Sequence, residues 1–141
     1  MYKKFGQFID GKWQPSEKKE TYEVINPANE EVLGNASKAT PSDVDKALKS
    51  AEKGLEVWKK TSPWKRSYII RKIADKMREK QDVLAKWMTL EVGKPFAEAK
   101  GEVGGAADIF EWNAEETKRI YGQTVESRFE NTRIHVYYQP V

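Results

Sequence analysis

The sequence contains no cysteine and one histidine, His135. Disulfides, thiolate metal sites and thiol nucleophiles are therefore excluded within these 141 residues, and a single imidazole assembles neither a metal site nor a catalytic triad. No apolar run approaches the ~18–20 residues of a membrane span. The first residues, MYKKFGQFID, lack the apolar centre of a signal peptide, so a cytoplasmic location is the expectation. Apolar residues make up 38% against the usual ~45–50%, so much of the surface must face water or partner protein. Charge of one sign is not clustered either. The 25 Lys and Arg are interspersed with 22 Asp and Glu, for a net charge of +3, which describes a mixed solvated surface and not a phosphate-binding patch. Disorder is also excluded, because five tryptophans and five phenylalanines supply apolar anchors. The length fits one domain with a core of ordinary size.

What is present divides by period. In FIDGKW, Asp10-Gly11 stands between apolar Phe8, Ile9 and Trp13, the preferred pair for a two-residue hairpin turn. An extended run from Tyr22 to Ile25, a turn at Asn26-Pro27-Ala28-Asn29 and a second run from Glu31 towards Ala36 predict another hairpin. Thr40-Pro41-Ser42-Asp43 then supplies a hydroxyl N-cap, proline at the first helical position and an acid in the first turn. Val44, Ala47, Leu48, Ala51, Leu55 and Trp58 follow at helical spacing, and Trp58 is expected in the core. Ser62-Pro63 repeats the start signal for a second helix carried by Tyr68, Ile69, Ile70, Ile73, Ala74 and Met77. This helix can restart or kink at Gln81-Asp82, and it continues through Val83, Leu84, Trp87, Met88 and Leu90 to Gly93. A third helix is expected from about Pro95 to Tyr121. Its middle holds Gly101, Gly104 and Gly105, at a cost of ~1 kcal/mol each relative to alanine, which suggests close approach of another backbone or a ligand. The architecture expected is α+β: N-terminal β hairpins, three long helices and an extended arm, with spans of residues 1–122 and 123–141.

Few constellations suggest chemistry. Glu98 and Glu102 share a helix face, yet Lys94 and Lys100 stand nearby, so Glu91, Glu98, Glu102, Glu111, Glu115 and Glu116 read as solvated helix charge. The glycines do not form GxGxxG and do not follow a strand. Trp64, Trp87 and Trp112 lie on no basic sheet that could stack bases, so no nucleic-acid partner is expected. In the final RIHVYYQPV, apolar Ile134, Val136 and Tyr138 alternate with Arg133, His135, Tyr137 and Gln139, as in a half-buried strand. With no turn after it and no evident partner, its backbone groups would be exposed, and further residues are expected downstream.

FIDGKW, VINPANEEVLG, ATPSDVDKAL, TLEVGKPFAEAKGEV, FEWNAEETKRIYG and YQPV, in this order and spacing, resemble the amino-terminal part of the NAD(P)-dependent aldehyde dehydrogenase superfamily. LEVGKPFAEAKGE with EWNAEETKRIYG is most similar to the succinate-semialdehyde and related semialdehyde dehydrogenases. The resemblance implies an α/β parent fold with a Rossmann-like cofactor domain. Residues 1–122 would be its N-terminal part, and residues 123–141 a strand arm of the oligomerisation region, giving a homo-oligomer, dimer or tetramer. It also implies oxidation of an aldehyde to a carboxylic acid with NAD or NADP. A cysteine thiolate attacks the aldehyde, hydride passes from the thiohemiacetal to the nicotinamide, and a glutamate-activated water releases the acid. None of these catalytic or cofactor-binding groups has a counterpart here, so the chain alone is expected to be inactive and to bind no dinucleotide tightly. The resemblance further implies a monovalent cation held by main-chain oxygens at Val24, Ile25 and Glu91, and places Phe110 and Trp112 near the substrate tunnel, where packing is the expected role of both. The rival expectation is a stand-alone helical interaction module that uses its C-terminal strand for β-augmentation.

Overall fold

The computed structural model describes residues 6–140; residues 1–5 and 141, which end the two expected spans, lie outside the description. Two hairpins come first. β1 (Gln7–Ile9) pairs antiparallel with β2 (Lys12–Gln14), and β3 (Thr21–Ile25) with β4 (Val32–Ser37). Asp10 and Gly11 both take positive φ, 54° and 74°, as the two-residue turn requires.

Four helices follow: α1 (Pro41–Lys60), α2 (Pro63–Glu79), α3 (Gln81–Val92) and α4 (Phe96–Glu116). The three long helices expected become four because the break before Gln81 is complete. Lys80 leaves the helical region at φ −105° and ψ 15°, and the chain starts again at Gln81. The last helix stops at Glu116, short of Tyr121, and tightens into a 3₁₀ turn at Thr117–Arg119. Gly93 ends α3 in the left-handed conformation, with φ 78°, where a side chain would be strained.

The C-terminal arm is the second correction. β5 (Gln123–Glu126) pairs antiparallel with β6 (Arg133–Val136), so the final strand has a partner within the chain. Every residue of both strands is exposed, and so is Tyr138, at 64%.

The core buried among the described residues is built from small side chains. Ala74, Ala85, Ala99, Ala107 and Ala114 have no exposed surface and Val103 has 4%, whereas Trp58, Leu55, Val44 and Leu48 of α1 are 37%, 36%, 50% and 58% exposed. α4 packs on both α2 and α3 through small residues, which lets the helices approach closely. The weak bulk of α4 thus belongs to its buried seam, Ala99, Val103, Ala107 and Ala114. A Cβ on Gly104 would stand 3.0 Å from the Gln81 carboxamide nitrogen, the end of a flexible side chain that donates to the Lys100 carbonyl at 2.9 Å. Nothing lies within 4 Å of the Cβ positions of Gly101 and Gly105.

Asp43 ties the turn that follows the first hairpin to the start of α1. Its carboxylate accepts from the Thr40 N–H at 2.9 Å, the Thr40 hydroxyl at 2.9 Å and the Glu17 N–H at 3.1 Å, while its own N–H donates to the Thr40 hydroxyl at 3.2 Å. The Thr40 N–H, then those of Glu17 and the Thr40 hydroxyl, hold the carboxyl at about 2 against an ordinary 3.8, with burial opposing. A carboxyl lowered on folding stabilises the fold above its unfolded value and loses that contribution as pH falls through its folded value. The Tm advantage of the wild-type chain over Asp43→Asn is accordingly expected in full above pH 3.8 and to vanish as pH falls towards 2. Paired thermal melts across that interval check it, and a pH-independent difference contradicts it.

Candidate functional site

Two ladders of opposite charge face each other across α2 and α4. Arg71 donates to Glu111 at 2.6 Å and to Glu115, and Arg78 donates to Asp108 at 2.7 Å and to Glu111 at 2.6 Å. Glu111 is therefore held between two arginines one heptad apart. Lys118 adds a pair to Glu115 at 2.7 Å. Arg71, Asp108, Glu111, Trp112, Glu115, Glu116 and Arg119 line a cleft of about 510 Å³. The hydrogen bond to Glu115 raises the Arg71 guanidinium above its ordinary value, and that to Asp108 raises Arg78. Lys118 and then Arg71 lower the Glu115 carboxyl. A carboxylate below its ordinary range holds no proton to donate near neutrality and is a weak base, so Glu115 is unsuited to general acid–base work. The cleft is a polar brace between two helices. Sequence reasoning did not single out Arg71 and Arg78. The signal available was two arginines seven residues apart opposite Asp108, Glu111 and Glu115 at spacings of three and four, each set on one helix face.

Phe110 and Trp112 are not brought together. Residues two apart on a helix point to different faces; Trp112 flanks the cleft at 71% exposure, and Phe110, at 38%, does not line it. Neither is buried among the described residues.

The segments carrying Val24, Ile25 and Glu91 do come near one another. A bulge separates Val24 from Ile25 in the β3–β4 ladder. The turn that follows is closed by the Asn26 N–H to the Glu31 carbonyl at 2.9 Å and the Ala28 N–H to the Asn26 side chain at 3.0 Å. Pro27 of that turn abuts the end of α3, where a Cβ on Gly93 would stand 3.1 Å from the proline ring. Glu91 is on the last turn of α3 and is exposed. Among the described residues no group of three or more His, Cys, Asp or Glu could hold a metal ion, so a cation here would depend on main-chain carbonyls. Glu98 and Glu102 form no catalytic pair: Glu102 pairs with Lys94, raising the lysine above its ordinary value. No helix of the described residues is long and apolar enough to cross a membrane.

The described residues do not fit a dinucleotide. All three sheets are two-stranded and antiparallel, whereas the Rossmann crevice lies between parallel strands with a glycine turn opening a helix; Gly101, Gly104 and Gly105 sit inside α4 instead.

Comparison with known proteins gives a consistent result. The profile described as "Aldehyde dehydrogenase family" matches residues 13–141. The glutarate-semialdehyde dehydrogenase of Pseudomonas aeruginosa is 40% identical over 134 residues, covering 95% of this chain and 28% of that protein. The NADP(+) succinate-semialdehyde dehydrogenase of Escherichia coli K12 is 41% identical over 133 residues, covering 94% and 28%. Among solved structures, an E. coli NADP-dependent enzyme superposes with a TM-score of 0.88 at 41% identity, covering 93% of this chain and 28% of the other. The succinate-semialdehyde dehydrogenase of Burkholderia pseudomallei gives 0.87 at 38% identity, covering 90% and 26%. The chain spans about 28% of the length of the curated relatives it matches.

Proposed function

Since this chain belongs to the aldehyde dehydrogenase family, we propose that it supplies the amino-terminal part of an enzyme that oxidises a semialdehyde to a carboxylic acid with NAD or NADP. The single observation that carries the reading is the identity of about 40% to glutarate- and succinate-semialdehyde dehydrogenases over nearly the whole chain. In this reading residues 1–122 form the outer part of the cofactor-binding domain. The β5–β6 hairpin is the strand arm through which subunits assemble, and thiol, water-activating carboxylate and dinucleotide site come from polypeptide other than these 141 residues. The α2–α4 brace would hold α4 in place beside the substrate path, with Phe110 and Trp112 on different faces of that helix. Main-chain oxygens at Val24, Ile25 and Glu91 would take a monovalent cation, supported by the contact of Pro27 with Gly93.

A chimaera tests the reading. Residues 1–141 replace the matching segment of the E. coli succinate-semialdehyde dehydrogenase, and NADPH formation is followed with succinate semialdehyde. Activity within about tenfold of the parent, or ~1.4 kcal/mol in the barrier, is expected. A folded, assembled chimaera with no turnover would remove the proposal.

A further inference from the structure

The facing stripes of α2 and α4 carry charges at positions where their spacing calls for small side chains. On α4 the seam runs through Ala99, Val103, Ala107 and Ala114, all buried. Its missing step is Glu111, four residues after Ala107 and three before Ala114. On α2, buried Ser67 and Ala74 alternate in the same way with Arg71 and Arg78. Residues three and four apart share a helix face, so Arg71, Arg78 and Glu111 belong to the packed stripes and not to the solvated sides. One Glu111 oxygen accepts from Arg71 at 2.6 Å and the other from Arg78 at 2.6 Å. The arginines also hold Glu115 and Asp108 at the ends of the row, and Glu111 is the carboxylate they share.

A seam of alanines sets few limits on how one helix slides or turns against another, because small side chains offer no knobs to fit into holes. A carboxylate paired on one side can swing to follow such a movement. A carboxylate pinned on both sides, between arginines about 10 Å apart along α2, cannot, since approaching one guanidinium withdraws it from the other. A polar residue at one position of an otherwise apolar seam specifies register in this way, at some cost in stability.

We propose that Glu111 is the positioning residue that fixes the rotation and register of α4 on α2, and through them the placement of Phe110 and Trp112. Both aromatics are adjacent to Glu111 in the chain, so they leave the helix about 100° to either side of it. A turn of α4 by about 15° would carry side-chain atoms about 6 Å from its axis through roughly 1.5 Å, and a misplacement of ~1 Å is enough to cost a large factor in the use of a bound substrate. The register is a property of these residues alone. Its effect on substrate rests on the proposed semialdehyde dehydrogenase reading, in which α4 borders the substrate path.

The chain has no cysteine, so D75C/N113C, at two exposed positions, places one spin label on α2 and one on α4 of the full chain, and the distance between labels reads the register. One sharp distance is expected in this background. E111M exchanges the charge for an apolar side chain of similar length and is expected to shift or broaden that distance by about 1.5 Å or more. Its Tm should stay close to that of the parent, because each arginine keeps its outer carboxylate and apolar replacements of ion pairs are often neutral or stabilising. E111Q gives the same readout if E111M does not fold. D108N and E115Q each remove an outer pair and are expected to leave the distance sharp and in place. In the chimaera described above, E111M is expected to raise KM for succinate semialdehyde about tenfold while KM for NADP stays within about twofold. An unshifted distance in E111M and E111Q overturns the proposal, as does an outer variant that shifts it equally. A shifted distance with both KM values unchanged overturns the link to the aromatics. A folded parent chimaera without turnover removes the enzymatic reading and leaves the label distances to decide the register.

Discussion

Residues 1–141 purified alone are expected to form no NADH or NADPH from succinate or glutarate semialdehyde, however much protein is added. The proposed chemistry begins with a thiolate, and the chain has no cysteine. The candidate cleft holds Arg71 and Glu115 in their charged forms, and the antiparallel hairpins offer no crevice for a dinucleotide. Loss of the nucleophile alone removes covalent catalysis, and family-type rate enhancements are many orders of magnitude. The assay follows absorbance of the reduced nicotinamide with and without a thiol-blocking reagent. Turnover that the reagent abolishes comes from a contaminant, because this chain offers it nothing to modify. Turnover that resists the reagent would show chemistry within these residues and sink the reading.

Ala107→Leu is expected to lower stability by about 1–3 kcal/mol, the usual cost of overpacking a close contact. Ala107 has no exposed surface and lies on the α4 seam, where α4 meets its neighbours through alanines. Three added carbons can be accommodated there only by separating helices that Arg71 and Arg78 fasten together. Ala51→Leu on the exposed side of α1 is the control and should change little. Urea titrations of the two variants give the comparison; equal midpoints would mean that the seam is looser than its burial indicates.

The local signals were legible because each is a short-range property. Asp10-Gly11 gave a hairpin turn, Thr40-Pro41 and Ser62-Pro63 gave two helix starts, and Gly93 gave a helix end, all set by backbone dihedrals and unpaired N–H groups. What covers the large apolar stripes was not legible, because amphipathic periodicity locates an apolar face without saying what packs on it. Trp58 and Leu55 carry the pattern of a buried stripe and are exposed, while the buried seam is alanine, whose small volume makes it a faint signal. The pairing of β6 with β5 was hidden because Gln123–Glu126 is only four residues long, with its two strand formers, Thr124 and Val125, adjacent and flanked by polar residues. The Arg71–Glu111–Arg78 brace joins residues 40 and 33 positions apart, a relation that single-sequence periodicity does not carry. Phe110 and Trp112 came from resemblance, and the helix turns them to different faces.

Every strand in the described residues pairs with the strand next to it in sequence, and the helices of the seam follow one another directly. Closing such short loops costs little entropy, so each unit can form as soon as its own residues are free to move. Each hairpin needs nothing that comes after it. The helical unit completes once α4 arrives, when Arg71 meets a glutamate 44 positions later. During synthesis, structure can therefore accumulate from the amino terminus onward, and the alanine seam sets the moment at which the nascent helices become one cooperative body.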